Sequence, residues 1–331
     1  MTSFPFLKLP FVVQKKICTN WIPLDILILS NSSKRTANLF HSIIPRNRFK
    51  LHVYFWMESE VYIKEENDEH LFNIPYDQKN RIDWTDENHL MNFIFEDASI
   101  DTITWTMDRI SHVLNAEICC LSVDLSDCFG KVPRILYWLN NRQRSIDTIF
   151  VNYSRPNDDE LFLMFESLHI NKCLNILICP SSHLIKPLNS KFEMDYLWMR
   201  GGSSNTWISL DNIMDFDCIH IDLASFSFTS YDMNRYLKAW INGCNARMEY
   251  LFLGLRSLDH NVLTDGIHAE ENDSSTVRIY SHQRLEIPCV FEGGTNIRRK
   301  DGRLATFQQI IGDVDSLQRF PFKMVVWPEG F

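Results

Sequence analysis

The chain has 331 residues, 45% of them apolar and 23% charged, with a formal net charge of −9. These globular values exclude a mainly disordered or fibrous chain, and the length fits about two domains on a prior of roughly 100 to 200 residues each. The acidic total excludes nucleic-acid binding by the whole chain, yet residues 1–50 carry eight Lys/Arg against one acid, so a +7 head is joined to a −16 body.

No run of about 18 uncharged apolar residues occurs, and Lys8, Lys15 and Lys16 interrupt the N-terminal apolar positions. The expectation is a soluble, intracellular protein, cytoplasmic or nuclear, with no membrane partner. The nine cysteines are scattered and never spaced as C-x-x-C, so they read as buried thiols, and neither a metal site nor a cofactor is expected.

The head reads as three short helices. Leu9-Pro10 opens the first, since proline lacks only a donor that would be unpaired in the first turn; Val13 and Ile17 then share a face while Gln14, Lys15 and Lys16 face water. Pro23 opens the second, with Asp25 favoured by the positive end of the helix dipole, and Leu24, Ile26, Leu27, Ile28 and Leu29 leave it almost no polar face. Ser32 or Ser33 caps a third, whose stripe Leu39, Phe40, Ile43 and Ile44 ends at Pro45. So small a domain cannot bury that much apolar surface internally, which implies a partner.

Residues 9–34 resemble an F-box, with Leu9-Pro10, Ile17, Trp21, Pro23, Asp25, Ile26, Leu29 and Ser33-Lys34 in its register without a gap. Val12 departs from the acid common there, and the polar Asn31-Ser32 from a common apolar pair. The resemblance implies docking on the small adaptor of SCF (Skp, cullin, F-box) ubiquitin ligases, through Leu9, Pro10, Val13, Ile17, Ile26, Leu27 and Leu29. For Val13 and Leu29, a role in holding the three helices together is an equal alternative.

Further on, residues 50–63 alternate around Trp56 as an antiparallel hairpin, and Glu65, Glu66, Asp68 and Glu69 read as a solvated turn. From about residue 116 an apolar pattern, spaced three and then two residues apart, recurs at Ile118/Leu121/Val123, Ile146/Ile149/Val151, Leu174/Leu177/Cys179, Met194/Leu197/Met199, Phe216/Ile219/Ile221 and Met248/Leu251/Leu253. Helical segments at 131–141, 158–168, 209–215 and 230–242 alternate with these strands. The alternation implies parallel strands with outer helices, in an irregular leucine-rich-repeat-like α/β arc or in an ordinary α/β domain. Residues 266–275 read as a polar linker. Strands at 277–279, 288–291, 297–299, 305–310 and 322–327 then form a β cap, with Asp301-Gly302 as a hairpin turn.

WISLDNIMDFDCIHI (residues 207–221), LKAWINGCNARMEYLFLGL (237–255) and IRRKDGRLATF (297–307) resemble the type 2 F-box-associated domain of the nematode F-box family. That resemblance implies a target-binding part behind the head. The expected organisation is a three-helix F-box at 1–45, a connecting hairpin and helical segment at 46–115, the repeat-like part at 116–265 and the β part at 266–331.

Motifs for chemistry are lacking: no P-loop, G-x-G-x-x-G, G-x-S-x-G or H-E-x-x-H occurs, and no catalytic residue is assigned. His220 and Asp222 share a strand face as an ion-pair candidate, and Arg298-Arg299-Lys300 reads as a solvated face. The positions between the last two apolar residues of each unit are Ser122, Phe150, Ile178, Trp198, His220 and Phe252. Phe150, Ile178, Trp198, His220 and Phe252 are the candidate target-binding row, with two readings: a target covers them, or the C-terminal sheet or the 191–195 loop does. Trp207 and Trp240 read as core.

These readings converge on a non-catalytic adaptor whose head binds a Skp-type adaptor, and through it a cullin, while the body recruits an unknown target protein. The alternatives are an F-box module working outside a ligase and an enzyme with a dispersed site.

Overall fold

The computed structural model describes residues 6–57, 59–65, 84–85, 90–95, 99–153, 158–178, 191–200, 208–256, 259–282, 288–309 and 320–328. The protein is α/β and divides into two compact units, residues 1–150 with 167–169, and residues 151–166 with 170–331.

The first unit opens with three helices, α1 (Phe11–Cys18), α2 (Pro23–Ser30) and α3 (Lys34–Ile43). Pro23 occupies the first turn of α2, and of the two candidate caps it is Ser33 that accepts the Thr36 amide at the start of α3. The rings of Phe6, Trp21 and Phe40 meet at centroid separations of 5.1 to 6.0 Å and, with Cys18, Ile26 and Ile43, form the small helical core. Gln14 is a correction: it is buried, with its amide donating to the Phe6 carbonyl at 3.0 Å. A polar group turned inward is tolerated because that carbonyl satisfies it.

Strands β1 (Phe49–Phe55) and β2 (Ser59–Glu65) form the expected hairpin. Beyond them run β3 (Trp84–Thr85), β4 (Leu90–Phe95), α4 (Ile100–Leu114), β5 (Glu117–Asp124), α5 (Val132–Arg142) and β6 (Ile146–Tyr153). The strand order is β3-β4-β2-β1-β5-β6, with β5 parallel to β1. A register shift after Leu51 pairs it with Ile118 but His52 with Cys120, so Cys119 bulges. That bulge lets Ile118, Leu121 and Val123 share one buried face, which strict alternation forbids. Glu65 ends β2 and pairs with Arg48, while Glu66, Asp68 and Glu69 lie outside the described residues.

The second unit contains α6 (Asp158–Ser167), β7 (Ile170–Ile178), β8 (Glu193–Arg200), α7 (Leu210–Asp215), β9 (Asp217–Phe228), α8 (Ser230–Ile241) and β10 (Tyr250–Leu255). Strands β7 to β10 are parallel neighbours in sequence order. Ser209 and Thr229 build capping boxes at α7 and α8, which fixes where both helices begin. Leu197, Ile221, Leu223, Leu251 and Leu253 are fully buried, as is the α8 stripe Met233, Tyr236, Leu237 and Trp240. Trp240 is thus core as expected, and Trp207 lies outside the described residues.

Two apolar triplets are corrected. In β7 the pairing with β8 runs unbroken from Cys173 to Leu177, so alternation holds and Leu174 and Ile176 are buried while Leu177 is 50% exposed; Cys179 lies outside the described residues. In β9 Ile221, level with Leu197 of β8, and Leu223 are buried, Cys218 is buried in place of the half-buried Ile219, and Phe216 precedes the strand.

The polar stretch expected to be a linker holds β11 (Ala269–Glu271), and α9 (His260–Thr264) precedes it. The remaining strands are β12 (Val277–Tyr280), β13 (Cys289–Glu292), β14 (Thr295–Arg298), β15 (Leu304–Gln309) and β16 (Phe320–Val326). Antiparallel β16 continues from β10 through β15 and β14 to β11, while β12 and β13 form a separate two-stranded ribbon. Asp301-Gly302 makes the expected turn, with Gly302 at φ 93°. Arg299 is a correction to the solvated-face reading, being buried over the Trp240 ring and paired with Asp301.

Asn245 locks the loop between α8 and β10. It sits at φ 47°, is buried, and its amide donates to the Ile213 carbonyl at 2.9 Å and to the Phe216 carbonyl. Replacing Asn245 with Ala strands those carbonyls and adds left-handed backbone strain, so urea unfolding should show a loss of about 2 to 4 kcal/mol. An unchanged midpoint would show that the loop does not depend on this side chain.

Candidate interaction surfaces

The helical head leaves apolar side chains in water. Phe11 is 52% exposed, Val12 77% and Ile28 58%, with Val13 and Leu29 exposed to a lesser degree. Of the residues singled out from sequence, Pro10, Val13 and Leu29 are exposed, Leu9, Ile17 and Leu27 are half-buried, and Ile26 is fully buried. Ile26 therefore packs inside the head and presents nothing to a partner. Phe11, Val12 and Ile28 were not singled out. The signal for Ile28 was present in an apolar run that left α2 without a polar face.

In the first unit Phe150 is half-buried on β6, and Ser122 is buried, accepting the Trp56 indole N–H at 3.2 Å. In the second unit Trp198 and Phe252 share a register row with Asp222, whereas His220 lies in the preceding row with Tyr196 and Tyr250. The Ile178 side chain lies outside the described residues. The expected single row is thus two rows on one face.

That face is covered by the β12–β13 ribbon. Tyr280 stacks on Tyr250 at a centroid distance of 6.0 Å, and its hydroxyl donates to Glu249 at 3.0 Å. His220 Nε2 lies 2.8 Å from the same oxygen, and with the hydroxyl proton given to Glu249 it is the imidazole N–H that donates. Phe291, Val325 and Trp327 complete this cluster, with Phe252 packed at its margin. His220 is 1% exposed, so its ring is closed to a partner. Cover by the C-terminal strands, one of the two readings left open by the sequence, describes this position.

His220 and Asp222 face the same way but hold different partners. Asp222 accepts the Ala224 amide at 3.2 Å and lies 3.7 Å from the Arg200 guanidinium, which is stacked over Trp198 at 4.7 Å. Burial pushes the Asp222 carboxyl up to about 6, against the opposing pull of Arg200. Among the described residues no group of three or more His, Cys, Asp or Glu side chains is placed to hold a metal, and no helix is long and apolar enough to cross a membrane.

A raised carboxyl pKa means that the folded state holds its proton more tightly than the unfolded one. The resulting stabilisation is complete below the unfolded value near 3.8 and is lost as pH rises through about 6. The Asp222→Asn variant should therefore gain on the parent by about 3 kcal/mol in urea unfolding between pH 4 and pH 7, two pKa units at 1.36 kcal/mol each. A difference that does not vary with pH would place the carboxyl in an ordinary environment.

Residues 182–253, which span β8 to most of β10, match the family model described as F-box associated. An uncharacterized protein of Caenorhabditis elegans, F59B2.9, is 21% identical over 343 aligned positions, covering 92% of this chain and 75% of that protein. No solved structure matches. The chain is therefore similar to nematode F-box-associated proteins, with the family match lying on the strands and helices around His220 and Trp240.

Proposed function

We infer that this chain is a substrate-recognition adaptor of an SCF-type ubiquitin ligase. In this reading residues 1–45 are an F-box that docks on a Skp-type adaptor and through it on a cullin. The parts at 116–265 and 266–331 form a repeat-like F-box-associated domain with a β cap that recruits the target protein. The observation that carries the reading is the exposure of Phe11, Val12, Val13, Ile28 and Leu29 on two short helices, within the stretch that resembles an F-box. Apolar residues left in water on a module too small to bury them are the mark of a protein partner. The F-box-associated match behind the head supports the same order of parts.

The chain itself performs no covalent chemistry in this scheme. Its contribution is proximity: a target held on the body is presented at high effective concentration to the charged ubiquitin-conjugating enzyme. Trp198 and Phe252, half-buried at the margin of the ribbon, are the target-row residues still open to a partner, whereas His220 serves the fold. No nucleic acid, membrane or cofactor enters the scheme.

The test is capture of a recombinant Skp-type adaptor by the full chain. The pair Val13→Asp and Leu29→Asp places two carboxylates on an apolar interface and should reduce capture by about tenfold or more, with thermal unfolding unchanged because both side chains are exposed. The half-buried Ile17→Asp should abolish capture while leaving the body folded. Full capture by the double variant sinks the assignment of this surface, and an adaptor complex that never carries a cullin removes the ligase.

A further inference from the structure

The ribbon that covers His220 has one strand edge closed and one open. On β13, the carbonyl of Val290 accepts the Lys323 ammonium and that of Glu292 accepts the Gln308 amide at 2.8 Å. Those carbonyls therefore point away from β12. Val277 pairs with Glu292 and Ile279 with Val290, so both are the non-hydrogen-bonded pairs of the ladder, and the amides and carbonyls of Val277 and Ile279 point to the opposite edge. The Gly293 amide bond to the Thr276 carbonyl, at 2.8 Å, agrees with this alternation. Among the described residues no strand pairs with that edge of β12.

The side chains beside the open edge are apolar. Val277 is 58% exposed and Ile279 62%, and Val290, across from Ile279, is also exposed on the same outer face. At the C-terminal end of β12 lies a cavity of about 470 Å³ lined by Arg247, Glu249, Ile279, Tyr280, Arg303 and Trp327. Glu249 is taken by the Tyr280 hydroxyl, and Arg247 by Asp195 at 2.8 Å and Asp217 at 3.6 Å. Arg303 donates through Nη1 to the Ala246 carbonyl at 2.8 Å and lies 3.5 Å from Asp301, which Arg299 holds more closely, so its charge is neutralised less fully than that of Arg299. The turn at 298–303 carries four cations against that one acid, on a body that is otherwise acidic.

We propose that β12 is the target-docking edge: an extended acidic-aliphatic peptide segment adds to it as a third strand. Its aliphatic residues join Val277 and Ile279 on the outer face, and the acidic residue between them points down to Arg303. Backbone pairing supplies affinity and the alternating side chains supply selection, as in other strand additions. A second copy of this chain is the poorer occupant, because β12 would offer its own Arg278 at the downward position, and Arg278 is already committed to Asn296 at 3.0 Å and Thr306 at 2.9 Å. The assignment rests on the target-recruiting reading given above and names its surface.

The probes are labelled decapeptides titrated against the full chain: alternating valine and glutamate, alternating valine and lysine, and alternating serine and glutamate. The first should bind about tenfold or more tightly than either of the others. Ile279→Pro, which removes an edge donor at a position where a strand tolerates proline, should weaken it by about tenfold or more. Arg303→Gln should narrow the preference for glutamate over lysine. Hydrogen exchange on the parent chain, which needs no variant to fold, should slow at the amides of Val277 and Ile279 when the peptide is bound. Equal binding of the three peptides, undiminished binding by Ile279→Pro, or unchanged exchange overturns the proposal, as does a concentration-dependent dimer that protects the same amides without peptide. Adaptor capture by Ile279→Pro is expected to stay at the parental level; if cellular targets also stay, the edge assignment fails while the adaptor reading stands.

Discussion

A parallel sheet has to be covered on both faces, and in the second unit one face is closed through a single hydroxyl. Tyr280 receives the His220 N–H and gives its own proton to Glu249, so three polar groups that are costly to bury apart are joined through one oxygen. A two-stranded ribbon has little stability of its own, and β12–β13 persists because Tyr280 and Phe291 are buried against Tyr250, Val325 and Trp327. The histidine that looks like chemistry in the sequence is occupied in holding this cover. Asp222, pushed up by burial, is tied to Arg200 on the same face.

In the first unit the comparable member is Arg48. Its guanidinium donates to the Cys18 carbonyl at 3.0 Å, to the Trp21 carbonyl at 3.2 Å and to Glu65 at 2.8 Å, joining the end of α1 to the end of β2. The basic excess of the head is therefore not one surface. Arg46 and Arg48 are spent on Glu117 and Glu65, whereas Lys8, Lys15, Lys16 and Lys34 stay exposed beside the apolar residues of α1 and α2. In the proposed adaptor reading those lysines steer an acidic partner toward the exposed apolar residues, a long-range effect that salt weakens.

What was legible in the sequence was what is decided locally. Proline in the first turn of α2, one of the two candidate serines before α3, and the Asp301-Gly302 turn all act within four residues, and each stands where it was expected; the caps at Ser209 and Thr229 are equally local but were not singled out. Most of the apolar triplets are buried as read, and β5 and β7 show what decides the outcome. β5 bulges at Cys119 and buries all three of its positions, while β7 does not and turns Leu177 out. Bulges are set by pairing with a neighbour and leave no mark in the residues themselves. β11 was missed because Ala269–Glu271 is short, polar and paired only at one edge, without apolar alternation. The cover over His220 joins positions 60 residues apart, beyond the reach of any local pattern.

The treatment of strand edges in the second unit separates structural from functional surface. An unpaired edge is a template for aggregation, and stable proteins blunt it with charge or cover. β11 is blunted by the exposed acids Glu270 and Glu271, and β13 has its outward carbonyls filled by Lys323 and Gln308. Among the described residues β12 receives neither device: its edge is flanked by exposed Val277 and Ile279, and the cavity at its end is lined by Arg303. Folding alone gives no reason for a branched apolar strand to be left unprotected where both neighbouring edges are protected. An occupant that completes the ribbon from outside supplies that reason, and the cation at the end of β12 selects for an acid within it.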